Sequence, residues 1–187
     1  MLVGPPGAGK TTVGQLLADR LAVGLLDTDR VIEEQTGSSV ADLFVQRGEP
    51  EFRRLERAAV AAALSSFDGV LALGGGAPVD LETRQALDGA PVAFLDVGAP
   101  AAAERVGLGR SRPLLLGNVR GQLRALLEAR RPIYEQVATV TVRTDELAPA
   151  EVADAVQQAL FAAPDGSAAP DGSAARDGSA APDGSEA

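Results

Sequence analysis

The 187-residue chain has no cysteine, no histidine and no tryptophan, and only one lysine, Lys10, among its seventeen basic residues. These absences exclude disulfides, a thiolate nucleophile, a Ser-His-Asp relay and any zinc site built from His or Cys. Any chemistry must run on carboxylates, arginines, Lys10, hydroxyls, backbone amides and a borrowed metal. Long apolar runs are missing too: the richest, Ala58 to Leu64, falls far short of the roughly twenty residues that a bilayer span needs. Met1 and Leu2 lead almost directly into a glycine-rich segment, leaving no room for a secretory signal. The expectation is a soluble, cytoplasmic protein without a membrane partner. The formal charge of -9 argues against a nucleic-acid partner, which needs clustered positive charge.

Nearly half of that charge sits in a tail. From Pro164 the chain repeats Pro-Asp-Gly-Ser-Ala-Ala, with Arg176 in place of one proline and Glu186 in place of one alanine. Residues 164–187 hold no aromatic or branched apolar side chain, so burial cannot offset the entropy of ordering them, and disorder is expected. Residues 1–163 suit one domain with its own core.

Within that domain, short apolar runs alternate with longer helical patterns. Residues 1–3, 25–27, 70–73, 92–97 and 138–143 read as strands; 11–21, 40–47, 51–64, 81–87, 101–106, 121–131 and 149–161 read as helices. Several strands lack polar alternation, as expected where helices cover both faces of a sheet. The alternation predicts βαβ units and a parallel α/β sheet, which binds ligands beyond the carboxyl ends of its strands.

At the end of the first strand, Gly4 to Thr11 matches G-x-x-x-x-G-K-[ST] and runs straight into a helix. In such a loop, backbone amides turn inward around phosphate oxygens and the helix aims its positive end at the same anion. Lys10 would reach the β and γ phosphates, and the Thr11 hydroxyl would ligate magnesium. In a chain that otherwise uses arginine for every cation, a lysine at this position points to a space that a planar guanidinium cannot enter.

Asp27 and Asp29 flank Thr28 at the end of the second strand. On extended chain, residues two apart point the same way, so both carboxylates can face the phosphate loop if strand geometry persists through Asp29. Phosphoryl transfer has work for two carboxylates: one orients hydrated magnesium and the other handles the attacking hydroxyl. The same spacing also suits a helix cap. Gly74-Gly75-Gly76 follows a strand, and it reads as unusual backbone angles, as close approach by a ligand or another segment, or as a flexible loop. Arginines pair at Arg53 and Arg54, Arg110 and Arg112, and Arg130 and Arg131. Each is a candidate clamp for carboxylate or phosphate, and Gly107 to Pro113 has the glycine spacing of a mobile segment. Arg20, Arg57, Arg84 and Arg124 read as surface or ion-pair residues.

Together these motifs resemble the shikimate kinases, P-loop kinases akin to the nucleoside-monophosphate kinases. The resemblance covers residues 1–162 and rests on GPPGAGKTT at 4–12, LLDTD at 25–29, GEPEFRRLE at 48–56, LGGGA at 73–77, SRPLL at 111–115 and ARRPIYEQVA at 129–138. It implies a P-loop NTPase-type three-layer sandwich around a central five-stranded parallel sheet, with a substrate-binding helical segment at about 28–57 and a mobile lid at about 107–119. It also implies ATP-dependent phosphorylation of the shikimate 3-hydroxyl in chorismate and aromatic amino-acid biosynthesis, by a monomer using Mg2+. In that likeness Asp29 holds the substrate hydroxyls as candidate base, and Arg53, Arg130 and the backbone of Gly74, Gly75 and Gly76 hold the rest of the substrate. Gly7, Ala8, Gly9, Lys10, Thr11 and Thr12 cradle the ATP phosphates, and Arg105 and Pro149 sandwich adenine. Thr11 and, through water, Asp27 hold the metal, while Lys10 and Arg112 neutralise the transferring group. Two other readings remain open at this point: a kinase for a different small acid or nucleotide, such as gluconate or AMP, and a nucleotide-binding regulatory module. The carboxylate clamp disfavours a nucleotide acceptor, and the presence of Asp29, Arg53, Arg112 and Arg130 disfavours the module.

Overall fold

The computed structural model describes residues 1–107 and 113–161, the side chains of 113–118 excepted. Five parallel strands, β1 (Leu2–Val3), β2 (Gly24–Asp27), β3 (Gly69–Ala72), β4 (Ala93–Asp96) and β5 (Val140–Arg143), lie in the order β2-β3-β1-β4-β5. The helices are α1 (Lys10–Leu21), α2 (Thr28–Thr36), α3 (Val40–Ser66), α4 (Leu81–Ala86), α5 (Ala99–Arg105), α6 (Pro113–Val137) and α7 (Pro149–Phe161), with a short 3-10 turn at Ala77–Val79. The order places β1 centrally, so the loop leaving β1 emerges at the middle of the sheet's carboxyl edge, where such sheets bind ligands.

Successive strand residues feed opposite cores. Leu2, Val70, Leu95 and Val142 pack with α1 and α7 residues such as Leu17 and Val156. Val3, Leu71, Phe94 and Leu73 pack on the other face with Val60 of α3, Leu87 and Tyr134 of α6. Both faces are covered, which is why these strands read as continuous apolar runs. A third, smaller core of Ile32, Leu43, Phe52 and Ala59 holds α2 and α3 together.

Two expectations change and one holds. Residues 28–36 form a helix of their own, so strand geometry stops at Asp27 rather than continuing through Asp29. The two helices expected at 40–47 and 51–64 are present as two arms of α3, kinked at Gly48 (φ 78°, ψ 167°), where Pro50 follows. The helix expected to end at Arg131 instead runs through Pro132 to Val137 and begins at Pro113. A proline inside a helix removes one hydrogen bond and crowds the carbonyl four residues earlier. Here Pro132 and Glu128 both lie on the exposed face, where water can serve that carbonyl. Burial of Tyr134 against Phe94, ring centroids 5.1 Å apart, favours the helical continuation by about 0.5–1.5 kcal/mol beyond area burial.

Candidate functional site

The phosphate loop turns on left-handed glycines, Gly7 at φ 80° and Gly9 at φ 93°, angles at which a Cβ would be strained. A side chain at Gly7 would also come within 2.9 Å of the Ala102 carbonyl oxygen. The Lys10 ammonium donates to the carbonyls of Gly4 (2.8 Å) and Pro5 (3.1 Å), closing the loop on itself. Burial pushes its pKa down, while Asp29 and Asp27 pull it back up. Lys10 is thus a cation held between two carboxylates and the loop that would take phosphate.

Asp27 combines a helix cap with a contact to the phosphate loop. As the last residue of β2 it caps α2, its Oδ1 accepting from the Asp29 amide at 3.1 Å, and its Oδ2 accepts from the Thr11 hydroxyl at 2.6 Å. Both aspartates therefore reach the phosphate loop, but the first helical turn after β2, not extended chain, brings Asp29 there. Asp29 is pushed up from 3.8 to about 6, first by burial, then by Asp27 and Glu56; Lys10 opposes the shift and Glu33 adds a smaller push.

The glycine triplet is explained by close approach. None of Gly74, Gly75 and Gly76 has a positive φ. A Cβ on Gly74 would collide with Asp29 Oδ1 and lie 2.7 Å from Glu56 Oε1, one on Gly75 would lie 3.3 Å from Pro6, and one on Gly76 would run into the Arg53 guanidinium. Thr28, fully buried, fixes the juxtaposition by accepting the Gly74 N–H on its Oγ1 at 2.8 Å. The Gly76 N–H, in a buried residue, has no hydrogen-bond acceptor among the described residues. Buried backbone donors are rarely left so, and this one belongs to the residue packed against Arg53.

The paired arginines separate. Arg53 donates to buried Glu56 at 2.5 Å and to Glu49 at 3.1 Å, with its guanidinium 5.5 Å from the Phe52 ring centroid and 5.8 Å from that of Phe44. Arg54 turns outward to Glu51. Arg130 donates to the Gly75 carbonyl at 3.1 Å, whereas Arg131 makes a two-pronged pair with Asp96 at 2.8 and 2.7 Å. Arg54 and Arg131 are thus each held by a carboxylate outside the glycine triplet. Arg20, Arg57 and Arg124 pair with Asp154, Asp80 and Glu128 as surface or ion-pair arginines would, while Arg84 is half-buried, donating to Gln136 with its Nε buried and without a partner among the described residues. Arg110, Arg112 and the core of the expected lid lie outside the described residues, as does the tail at 164–187.

On the other side of the phosphate loop, a cleft of about 510 Å3 is lined by Gly7 to Val13, Arg105, Thr144, Leu147, Pro149 and Val152. Arg105 is fixed there by donating to the Thr144 carbonyl and hydroxyl and to the Gly7 carbonyl. Asp145, in a loop where an acidic residue would sit badly beside a nucleotide, turns away to accept the Gly98 amide at the start of α5 and pairs with Arg143.

The donor set suits magnesium. Thr11 and Asp27 offer two hard oxygens in contact, and among the described residues no group of three or more His, Cys, Asp or Glu could enclose a metal alone. An ion that keeps waters and substrate phosphates in its shell fits that pair. Glu56, Thr28 and Tyr134 went unnoticed in the sequence. The spacing Arg53-x-x-Glu56, one helical turn, is the one signal that could have found Glu56.

The shikimate kinase sequence profile matches residues 6–161. A shikimate kinase from Thermobifida fusca is 54% identical over 165 residues, covering 88% of this chain and 96% of that protein. One from Streptomyces coelicolor is 51% identical over 160 residues, covering 86% and 94%. Among solved structures, shikimate kinase from Acinetobacter baumannii in complex with shikimate superposes with a TM-score of 0.79 at 37% identity, covering 86% of this chain and 91% of that one. Shikimate kinase from Aquifex aeolicus gives 0.73 at 29% identity, covering 85% and 94%.

Proposed function

The chain belongs to the shikimate kinase family, and we propose a division of labour among its residues for the family's reaction, phosphorylation of the shikimate 3-hydroxyl by ATP to give shikimate 3-phosphate and ADP in aromatic amino-acid biosynthesis. The ATP phosphates lie along the amides of Gly7 to Thr12, and adenine occupies the cleft between Arg105 and Pro149. Lys10 exchanges the Gly4 and Pro5 carbonyls for phosphate oxygens. Mg2+, held by the Thr11 hydroxyl and through water by Asp27, would neutralise charge on the phosphate oxygens.

Shikimate lies over the glycine triplet. Arg53 and Arg130 grip its carboxylate, and the Gly76 N–H gains the acceptor it lacks. Asp29 receives the proton of the 3-hydroxyl as that oxygen bonds to the γ phosphorus and the bond to the ADP oxygen breaks. With its pKa raised to about 6, Asp29 is ionised near neutrality yet a stronger base than an ordinary carboxylate. Arg112, carried on the segment at about 107–119, neutralises the transferring group. A cytoplasmic monomer suffices, since every residue named comes from one chain and ATP is a substrate of the cell interior.

The observation that carries this reading is the convergence of Asp29, Arg53 and Arg130 on the glycine triplet, beside a phosphate loop. ADP release from ATP and magnesium is expected to require shikimate. Equal stimulation by gluconate or AMP overturns the assignment of roles.

A further inference from the structure

One group at this edge of the sheet has no part in the scheme above. Tyr134, 1% exposed, stacks on Phe94 and donates its hydroxyl to the Gly75 carbonyl at 2.5 Å. That carbonyl also accepts from Arg130, one helical turn earlier, at 3.1 Å. Two donors from α6 therefore share one acceptor, and one of them is an arginine assigned to the substrate.

Resting on that assignment, we infer that Tyr134 is a positioning residue for the carboxylate grip: it holds the Gly75 carbonyl so that Arg130 can turn to the substrate and the next amide stays aimed. Two physical steps support this. A guanidinium that turns to a carboxylate gives up part or all of its bond to the half-buried Gly75 carbonyl, and losing that donor opposes the turn; the phenol keeps the carbonyl satisfied. The peptide unit is planar and trans, so fixing the Gly75 oxygen fixes the opposite direction of the Gly76 N–H, which has no acceptor among the described residues. Tyr134 suits the task because its ring has only two side-chain torsions and is packed in the core against Phe94. Burial also pushes its phenol above the ordinary value of 10.0, which keeps it a donor. Arg131 cannot substitute for Arg130, being held on Asp96.

Tyr134→Phe keeps the ring and removes only the hydroxyl. Steady-state kinetics of the full chain with ATP and Mg2+ are expected to show KM for shikimate raised up to about tenfold, the effect of one half-buried carbonyl losing a donor, with kcat and KM for ATP within about twofold of the parent. The methyl ester of shikimate keeps every hydroxyl but has no carboxylate charge, so its kcat/KM should change little. In an Arg130→Ala background, Tyr134→Phe should add little further loss. A thermal melt confirms that each variant is folded, and the double-variant comparison reads the coupling even where stability shifts. An unchanged KM for shikimate, an equal loss on acid and ester, or a full additional loss in the Arg130→Ala background overturns the inference. Absence of shikimate-dependent turnover in the parent would instead overturn the substrate reading beneath it.

Discussion

Replacing Asp29 with asparagine should make the protein more stable while removing its activity. The Asp29 carboxyl titrates at about 6 in the fold against 3.8 in the free side chain, because burial, Asp27 and Glu56 outweigh Lys10. The folded state therefore holds a proton more tightly than the unfolded one, and the ionised carboxylate is a cost of folding that grows from about pH 3.8 and is complete above about pH 6. The gap between the two values corresponds to about 3 kcal/mol at 1.36 kcal/mol per pH unit, an upper figure because the site is partly open to water. Asparagine is uncharged in both states. Urea unfolding in buffer with chelator and without nucleotide, the condition that matches the ligand-free site, should show Asp29→Asn more stable by about 1–3 kcal/mol near pH 7.5. The linkage relation gives the pH dependence: the gain falls to about half its neutral value near pH 5 and vanishes below about 3.8, where aspartate is protonated folded and unfolded alike. Shikimate-dependent ADP release should be lost. A variant no more stable than the parent at neutral pH, or a gain that does not shrink with acid, would refute the electrostatic picture.

Two other perturbations test the frame around the site. Arg131→Met leaves Asp96, whose side chain is 10% exposed, without its two-pronged partner; urea unfolding should show a loss of about 1–3 kcal/mol, less than for a fully enclosed pair because Arg131 itself reaches water. A loss below about 0.5 kcal/mol would mean that water replaces the arginine freely. Gly74→Ala puts a methyl into Asp29 Oδ1 and close to Glu56 Oε1, so both carboxylates must shift. The kcat for shikimate should fall by about 10² with KM for ATP little changed, and a near-normal kcat would show that the close approach of Asp29 to the triplet is dispensable.

The sheet and the phosphate loop were legible because their signals are local. A strand, a glycine loop and a helix follow one another within twenty residues, and an unalternating apolar run reads the same whatever it packs against. The placement of Asp29 was legible only in outcome. Residues 28–36 become helical because Asp27 caps them and Ile32 seals onto Leu43 and Phe52, a long-range contact that no local pattern shows. The glycine triplet shows the same limit: its sequence left a turn, a hinge and a close approach equally open. Only the arrival of Asp29, Glu56, Arg53 and Pro6 from three other segments decides for close approach.

The adjacent arginines carry this furthest. Neighbours on a helix point about 100° apart, so of Arg53 and Arg54, or Arg130 and Arg131, the two members face different surroundings. Which one faces the substrate depends on the carboxylate that claims the other. Glu51 draws Arg54 outward, and Asp96 at the end of β4 draws Arg131. Arg53 and Arg130 remain on the side of the glycine triplet with partners of different kinds: Glu49 and Glu56 for the first, the Gly75 carbonyl for the second. A grip on an acidic substrate needs cations that are oriented before binding and releasable on binding, and an ion pair with a buried acid orients too firmly to release cheaply. The weaker carbonyl bond suits Arg130 to movement, while buried Glu56 suits Arg53 to staying in place. The difference between the two arginines is therefore one of mobility, and it follows from the chemistry of their partners.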